Sequence, residues 1–141
     1  MKNKKRGFTL LELLVVIGII GVLVALGTVS YSSAQRKSRD SRRQADMKSI
    51  QNALEVYYSE TSYVYPTTCS DGGSYIKGPW PTDPVDVSPL VYTELCDADS
   101  YYVCAEMEVA SRGNSTSLPT TADGTSHVWG AGNYYCVSNL Q

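Results

Sequence analysis

One histidine, His127, is all the imidazole this chain of 141 residues has, and its four cysteines form no CxxC pair. Metal centres built on paired histidines or CxxC spacing are excluded, and no motif-bound nucleophile has a histidine beside it. No proline precedes Pro66, so nothing breaks a helical pattern over the first half of the chain. Charge is missing altogether from Leu13 to Val29, a run of 17 residues, and from Phe8 to Val29 Glu12 is the single ionisable group. About 20 apolar residues span a bilayer as a helix, so this run does not belong to a soluble core. Cations are scarce at the other end. From Glu60 to the C-terminus, ten Asp/Glu stand against Lys77 and Arg112 alone, a net of −8.

The overall net charge of −2 therefore conceals a segregation. The leader MKNKKRG carries Lys2, Lys4, Lys5 and Arg6, and QRKSRDSRRQ adds Arg36, Lys37, Arg39, Arg42 and Arg43 against Asp40. Four basic residues before the apolar run and five after it give no orientation by the positive-inside rule. The cysteines do. Cys69, Cys96, Cys104 and Cys136 all follow the helical half, and widely spaced cysteines in a small domain read as two disulfides in an exported compartment. The C-terminal part is expected outside the cytoplasm, with the N-terminus inside. Its roughly 80 residues are marginal for an unaided core, which suits disulfide stapling.

Periodicity predicts one helix from about Phe8 to about Ser59, roughly 75–80 Å long at 1.5 Å per residue. Met47, Ile50, Leu54 and Tyr57, with Ala53 and Tyr58 beside them, form an apolar stripe on its second half. Between Ser30 and Gln44 every side is polar, which reads as a solvated spacer or a surface that touches other chains. SYVYP ends the helix, because the residue before proline avoids helical geometry. Strand candidates follow at 90–95, 100–109 and 133–138, with CDADS (96–100) as a hairpin loop. In the second, Tyr101, Val103, Ala105, Met107 and Val109 alternate with Tyr102, Cys104, Glu106 and Glu108, so one face can cover the helix stripe. The stretches 69–89 and 111–126 read as loops.

Why Glu12 stands at the edge of an apolar run needs an answer. A secretory signal peptide ending at Ala34 and a plain membrane anchor are two ordinary readings. In the second, a glutamate near one interface costs less than the roughly 2.5–3.5 kcal/mol of a charge at mid-membrane. Neither accounts for Gly7, Phe8 and Glu12 together. Basic leader, Gly7, Phe8, then Thr9-Leu10-Leu11-Glu12 and an unbroken apolar helix resemble the type IV prepilins and the pseudopilins of type II secretion and DNA-uptake systems. The resemblance implies cleavage between Gly7 and Phe8 by a membrane prepilin peptidase and N-methylation of Phe8. It also implies a role for Glu12 in assembly, paired with the freed amine of Phe8 on a neighbouring subunit.

The fold expected is α+β: a long N-terminal helix, half membrane-spanning and half amphipathic, packed on a small antiparallel sheet of three to four strands. The expected segments are a leader (1–7), a transmembrane assembly half (8–30), an amphipathic half (31–61) and a disulfide-stapled head (62–141). Gly18, Gly21, Ala25 and Thr28 make a narrow face of small residues that would let helices approach closely in a membrane. Glycine is also simply common in such helices. Of three possible cysteine connectivities, antiparallel pairing of the second and third strands favours Cys104–Cys136 with Cys69–Cys96. The basic stem is open to three readings: solvation, contact with anionic lipid, or contact with the acidic head of an adjacent subunit. Direct nucleic-acid binding is not expected, because acidic heads would shield the stem.

The loop GPWPTDP resembles one in major pseudopilins, some of which hold calcium there. Asp83 and Asp86 would supply oxygens, and solvation of an acidic loop is the plainer reading. Asn114-Ser115-Thr116 matches a glycosylation sequon, and His127 reads as surface decoration. No metal, cofactor or enzymatic activity is expected. The reading is a pilus-like filament subunit, with a secretion or uptake pseudopilin as the near alternative and a monomeric exported or anchored binding domain as the distant one. The expected partners are sister subunits, prepilin peptidase, membrane lipid before assembly, and a membrane platform driven by a cytoplasmic ATPase. The expected location is the cytoplasmic membrane, then an envelope or extracellular filament.

Overall fold

The uninterrupted helical pattern forms a single element. In the computed structural model, which describes residues 7–140, helix α1 runs Leu10–Glu60. Residues 1–6, within the segment expected to be a leader, and Gln141 lie outside the described residues. The helix stops before the proline is reached. Ser62 and Tyr63 take left-handed φ values of 61° and 64°, and Thr61 and Tyr63 donate their N–H groups to the carbonyls of Tyr57 and Tyr58. By internal packing the chain divides into two units, Met1–Gln35 and Arg36–Gln141. The first is the apolar part of α1, long and apolar enough to cross a membrane by length and composition. Its residues from Gly7 to Thr28 are exposed throughout.

The second unit is built on the predicted stripe. Met47, Ile50 and Leu54 are wholly buried and Ala53 nearly so, while Tyr57 sits at the margin, edge-on to Tyr75. Strands β1 (Thr93–Cys96), β2 (Tyr101–Glu106), β3 (Gly113–Ser115), β4 (Trp129–Gly132) and β5 (Tyr134–Ser138) form one antiparallel sheet in the order β1-β2-β5-β3-β4. Alternation along β2 sends Tyr101, Val103 and Ala105 into one core with the helix stripe, Met107 and Val137. Each such side chain contributes roughly 1.5–3 kcal/mol when fully buried. Tyr102, Cys104 and Glu106 point to the other face. Asp97 and Ser100 close the β1–β2 hairpin through two backbone hydrogen bonds, and Tyr65 N–H donates to Ala98 O, fastening the segment after α1 to that hairpin.

The helix and the α+β layout match expectation, but the sheet holds five strands. β3 lies inside the stretch read as a loop, and β4 is WGAG, which has no strand pattern. Close backbone approach explains both. A Cβ at Gly113 would lie 2.0 Å from Tyr134 O, and one at Gly132 the same distance from Ser115 O. Only glycine lets these strands pair so tightly. β1 also begins three residues later than predicted, because Leu90 and Val91 are tied into a turn with Val87 and Pro89. The long loop contains a short 3-10 helix, Cys69–Tyr75.

Candidate functional site

Unit Met1–Gln35 presents its chemistry at one end. Gly7 and Phe8 precede the helix, and Phe8 is 85 % exposed. Thr9 is the N-cap. Its carbonyl accepts the first helical hydrogen bond from Leu13, and its Oγ1 accepts the N–H of Glu12 at 3.2 Å. Glu12 answers: its Oε2 accepts the Thr9 backbone N–H and the Thr9 hydroxyl, both at 2.9 Å. This is a capping box, in which residues three apart satisfy each other's orphan donors at a helix start. Thr-Leu-Leu-Glu carries that signature in the sequence. The cap uses one carboxylate oxygen, so lone pairs on Glu12 remain for a further donor.

Along the apolar helix, a Cβ at Gly18 or Gly21 would meet nothing within 4 Å. Thr28 folds its hydroxyl back onto Ala25 O at 3.0 Å, which hides its polar atom within the helix. The small-residue face is therefore open along its length, and its one hydroxyl is already satisfied.

Residues 2–28 match the prokaryotic N-terminal methylation motif. This chain has a prepilin-type N-terminus. Its relatives are secretion and pilus proteins. It is 38 % identical over 77 residues to the type II secretion system core protein G of Escherichia coli K12, covering 55 % of this chain and 52 % of that protein. The prepilin peptidase-dependent protein D of the same organism is 36 % identical over 80 residues, 57 % of this chain and 53 % of that protein. The type IV major pilin protein PilA of Myxococcus xanthus is 35 % identical over 57 residues, 40 % and 26 % of the two chains. The matched region thus spans about half the length of the secretion relative. No solved structure matches the chain.

Beyond the prepilin-type N-terminus, the head-bearing unit holds a charged cluster that the sequence did not disclose. Arg43 is wholly buried on α1. Its Nε and Nη2 reach the two oxygens of Asp83 at 2.5 and 2.9 Å, while Nη1 reaches Asp40 at 2.9 Å and Glu108 at 2.8 Å. Asp40, also wholly buried, accepts the backbone N–H groups of Glu108 and Val109. Arg39 caps the cluster through a bidentate pair with Glu108 at 2.5–2.6 Å. The Arg39 guanidinium, with Arg43 adding to it, holds Glu108 down at about 2 against partial burial. Burial works to raise Asp83, yet Arg43 and the N–H groups of Val85 and Asp86 leave it below its ordinary value. The stem is therefore not a uniformly solvated spacer: Asp40 and Arg43 are core. Only their i, i+3 spacing was legible in advance.

Other predicted residues are placed as follows. The disulfides are Cys69–Cys96 and Cys104–Cys136, the latter joining directly opposed residues of β2 and β5. Asp83 gives its carboxylate to Arg43 and to the N–H groups of Val85 and Asp86, and Asp86 is exposed beside it. The oxygens considered for calcium are thus committed to an internal cation in the case of Asp83. Asn114 is bound into the sheet, its side chain donating to Cys136 O at 2.8 Å and accepting Cys136 N–H at 2.7 Å. A glycan would have to displace both bonds. His127 is more than decoration: it lies against Tyr102 at 4.9 Å and edge-on to Trp129 at 4.4 Å, with both ring nitrogens buried and, among the described residues, without hydrogen-bond partners. Burial lowers its pKa.

Proposed function

We propose that this chain is a structural subunit of a type IV pilus-like filament. In this reading the leader 1–7 is removed by prepilin peptidase between Gly7 and Phe8, and Phe8 is N-methylated. Segment 8–30 first resides in the cytoplasmic membrane and then in the filament core, segment 31–61 carries the head, and segment 62–141 is the exported, disulfide-stapled head. The carrying observation is a helix whose apolar surface is entirely uncovered, beginning one residue after the Phe8–Thr9 pair with a carboxylate fixed at its first turn.

Physical chemistry supplies the mechanism. The uncovered helix has two environments that remove it from water: lipid, and a bundle of sister helices. In the bundle the amine freed at Phe8 and the Glu12 carboxylate of a neighbour lie at similar depth. Matched, they satisfy each other; a subunit at the wrong height leaves two charges unpaired in low dielectric, which is strongly disfavoured. The capping box holds Glu12 in one orientation before the partner arrives. Gly18, Gly21, Ala25 and Thr28 provide the face along which helices approach. The protein's work is assembly, with no catalysis of its own. Its partners are copies of itself or sister pilins, the peptidase, and a membrane platform with a cytoplasmic ATPase.

Likeness to the secretion core protein G over 77 residues favours a second reading, a pseudopilin of a type II secretion or related uptake machine. Both readings share the same processing and assembly. Mass spectrometry of the mature N-terminus tests them against a monomeric exported domain. N-methyl-Phe8 is the expected result; Gln35 would mean a conventional signal cut, and Met1 a plain anchor. Glu12→Val should leave insertion and cleavage intact and impair filament growth. Normal filaments from that variant would remove the assembly role.

A further inference from the structure

Internal pairing uses up much of the stem's positive charge. Arg39 and Arg43 are held by Glu108, Asp40 and Asp83. Arg42 has Asp46 at 3.8 Å, and Lys48, without a carboxylate, donates to the neutral Gln51 amide at 3.0 Å. Arg36 and Lys37 are left over. Both are exposed, and among the described residues neither side chain has a partner within the chain. They form an unpartnered basic face on α1.

The opposite charge is concentrated at the far end of the same unit. A cavity of about 450 Å³ opens beside the Cys69–Cys96 disulfide, lined by Glu94, Asp97, Thr67, Thr68 and Thr121 among others, with no Lys or Arg among its lining residues. Asp71, Asp99 and Asp123, all exposed, follow within two residues of Cys69, Asp97 and Thr121. Glu94 accepts the Trp80 indole N–H at 2.7 Å, and burial nevertheless raises its pKa, so a cation beside it relieves a carboxylate that is under-compensated.

Arg36 and Lys37 cannot fill this cavity within their own copy. The 3-10 helix that begins at Cys69 on the cavity's edge packs through Gly72 on Leu54, where an added Cβ would sit 3.1 Å from a Leu54 methyl. Leu54 is 17 positions beyond Lys37, about 25 Å along an α-helix, far outside the reach of a lysine side chain. A cation of the right kind is nevertheless presented by every other copy.

We infer that Arg36 and Lys37 of one copy dock at the Glu94–Asp97 cavity of a second copy displaced along the helix axis by about 25 Å. The inference rests on the filament reading, and it adds a specific outer contact to the inner one made by Phe8 and Glu12. The outer contact sets axial register through charge, at a radius where salt reaches it, so filament yield should fall as ionic strength rises.

A zero-length carbodiimide cross-link tests this on the unaltered protein. Sheared filaments should yield an isopeptide between Lys37 and Asp97 or Glu94, and detergent-dispersed monomer should not. Lys37→Glu and Asp97→Lys should each lower filament yield by roughly tenfold, and the two together should restore it, since like charges repel at a contact that opposite charges stabilise. Filaments without the cross-link, or single variants at wild-type yield, overturn the inference. So does a Lys37→Glu defect confined to binding of phosphatidylglycerol vesicles, which would assign the face to lipid. If a variant fails to form both disulfides, the wild-type cross-link alone decides. Failure of the wild type to form filaments, with Phe8 unmethylated, is a separate result that removes the filament reading and this contact together.

Discussion

Arg43→Ala is the sharpest perturbation of the head-bearing unit. The guanidinium bridges Asp83, Asp40 and Glu108, and both Arg43 and Asp40 have no exposed side-chain surface. Removing it leaves Asp40 and Asp83 buried without their cation; breaking a buried pair in this way costs about 3–5 kcal/mol. Against a total stability of about 5–15 kcal/mol, that is a large fraction. For a unit of about a hundred residues, 1 kcal/mol moves the midpoint by about 4 °C, so a fall of about 12–20 °C is expected. Thermal unfolding of the mature protein in detergent, followed by near-ultraviolet circular dichroism of the head's tyrosines and tryptophans, reads it at pH 7. Acid supplies a second check. Glu108 near 2 and the lowered Asp83 bind protons in the unfolded chain before the folded one, so wild-type stability declines as pH falls from about 4.5 toward 2. In the variant, Asp83 loses its cation and keeps only the N–H groups of Val85 and Asp86 against burial, so ionised Asp83 stabilises the fold less and the gap to wild type narrows in acid. A loss under about 1 kcal/mol at pH 7, the size of a surface ion pair, would refute the reasoning. A gap independent of pH would do the same.

Four further outcomes follow from the same structure. Thr9→Ala should cost about 1 kcal/mol at the helix start, seen as faster amide exchange at residues 10–13 with the head unchanged. Gly21→Leu should leave monomer stability unaltered, since nothing lies within 4 Å of that position, and should reduce filament yield on electron micrographs. Glu55 accepts hydrogen bonds from Tyr101 Oη at 2.9 Å, Tyr65 Oη at 3.1 Å and Leu140 N–H at 3.1 Å. Glu55→Ala should cost roughly 2–6 kcal/mol in chemical denaturation, two buried hydroxyls losing their acceptor at about 1–3 kcal/mol each, and Glu55→Gln clearly less. His127→Phe should raise stability by about 1 kcal/mol by removing two unpartnered nitrogens. Because burial lowers the folded-state pKa of His127, the unfolded chain takes up its proton first and stability falls as pH drops through 6.5. The variant should lose that part of the slope between pH 7 and 5.

The division between what was readable and what was not follows distance along the chain. Met47, Ile50 and Leu54 announced the buried stripe because helical periodicity is a local property, and β2 announced its inward face by alternation in the same way. Thr9 and Glu12 carried a capping signature three residues long. β3 and β4 escaped notice because their formation depends on Gly113 and Gly132 meeting backbone from other strands, which no local pattern records. Arg43 looked like one more solvated cation of the stem because Asp83 and Glu108 stand 40 and 65 positions away.

The sequence by itself determined a continuous helix, its apolar first half, the acid at its first turn, the amphipathic stripe and the prepilin-type N-terminus, since each is fixed by residues within a few positions of one another. Tertiary structure alone decided which cations of the stem are core and which stay free, how the short strands join the sheet, that Asn114 is bound into it, and that His127 is enclosed by Tyr102 and Trp129. Those outcomes depend on groups brought together by folding, where burial turns a charge from a solvated ornament into a group that must find its counterion.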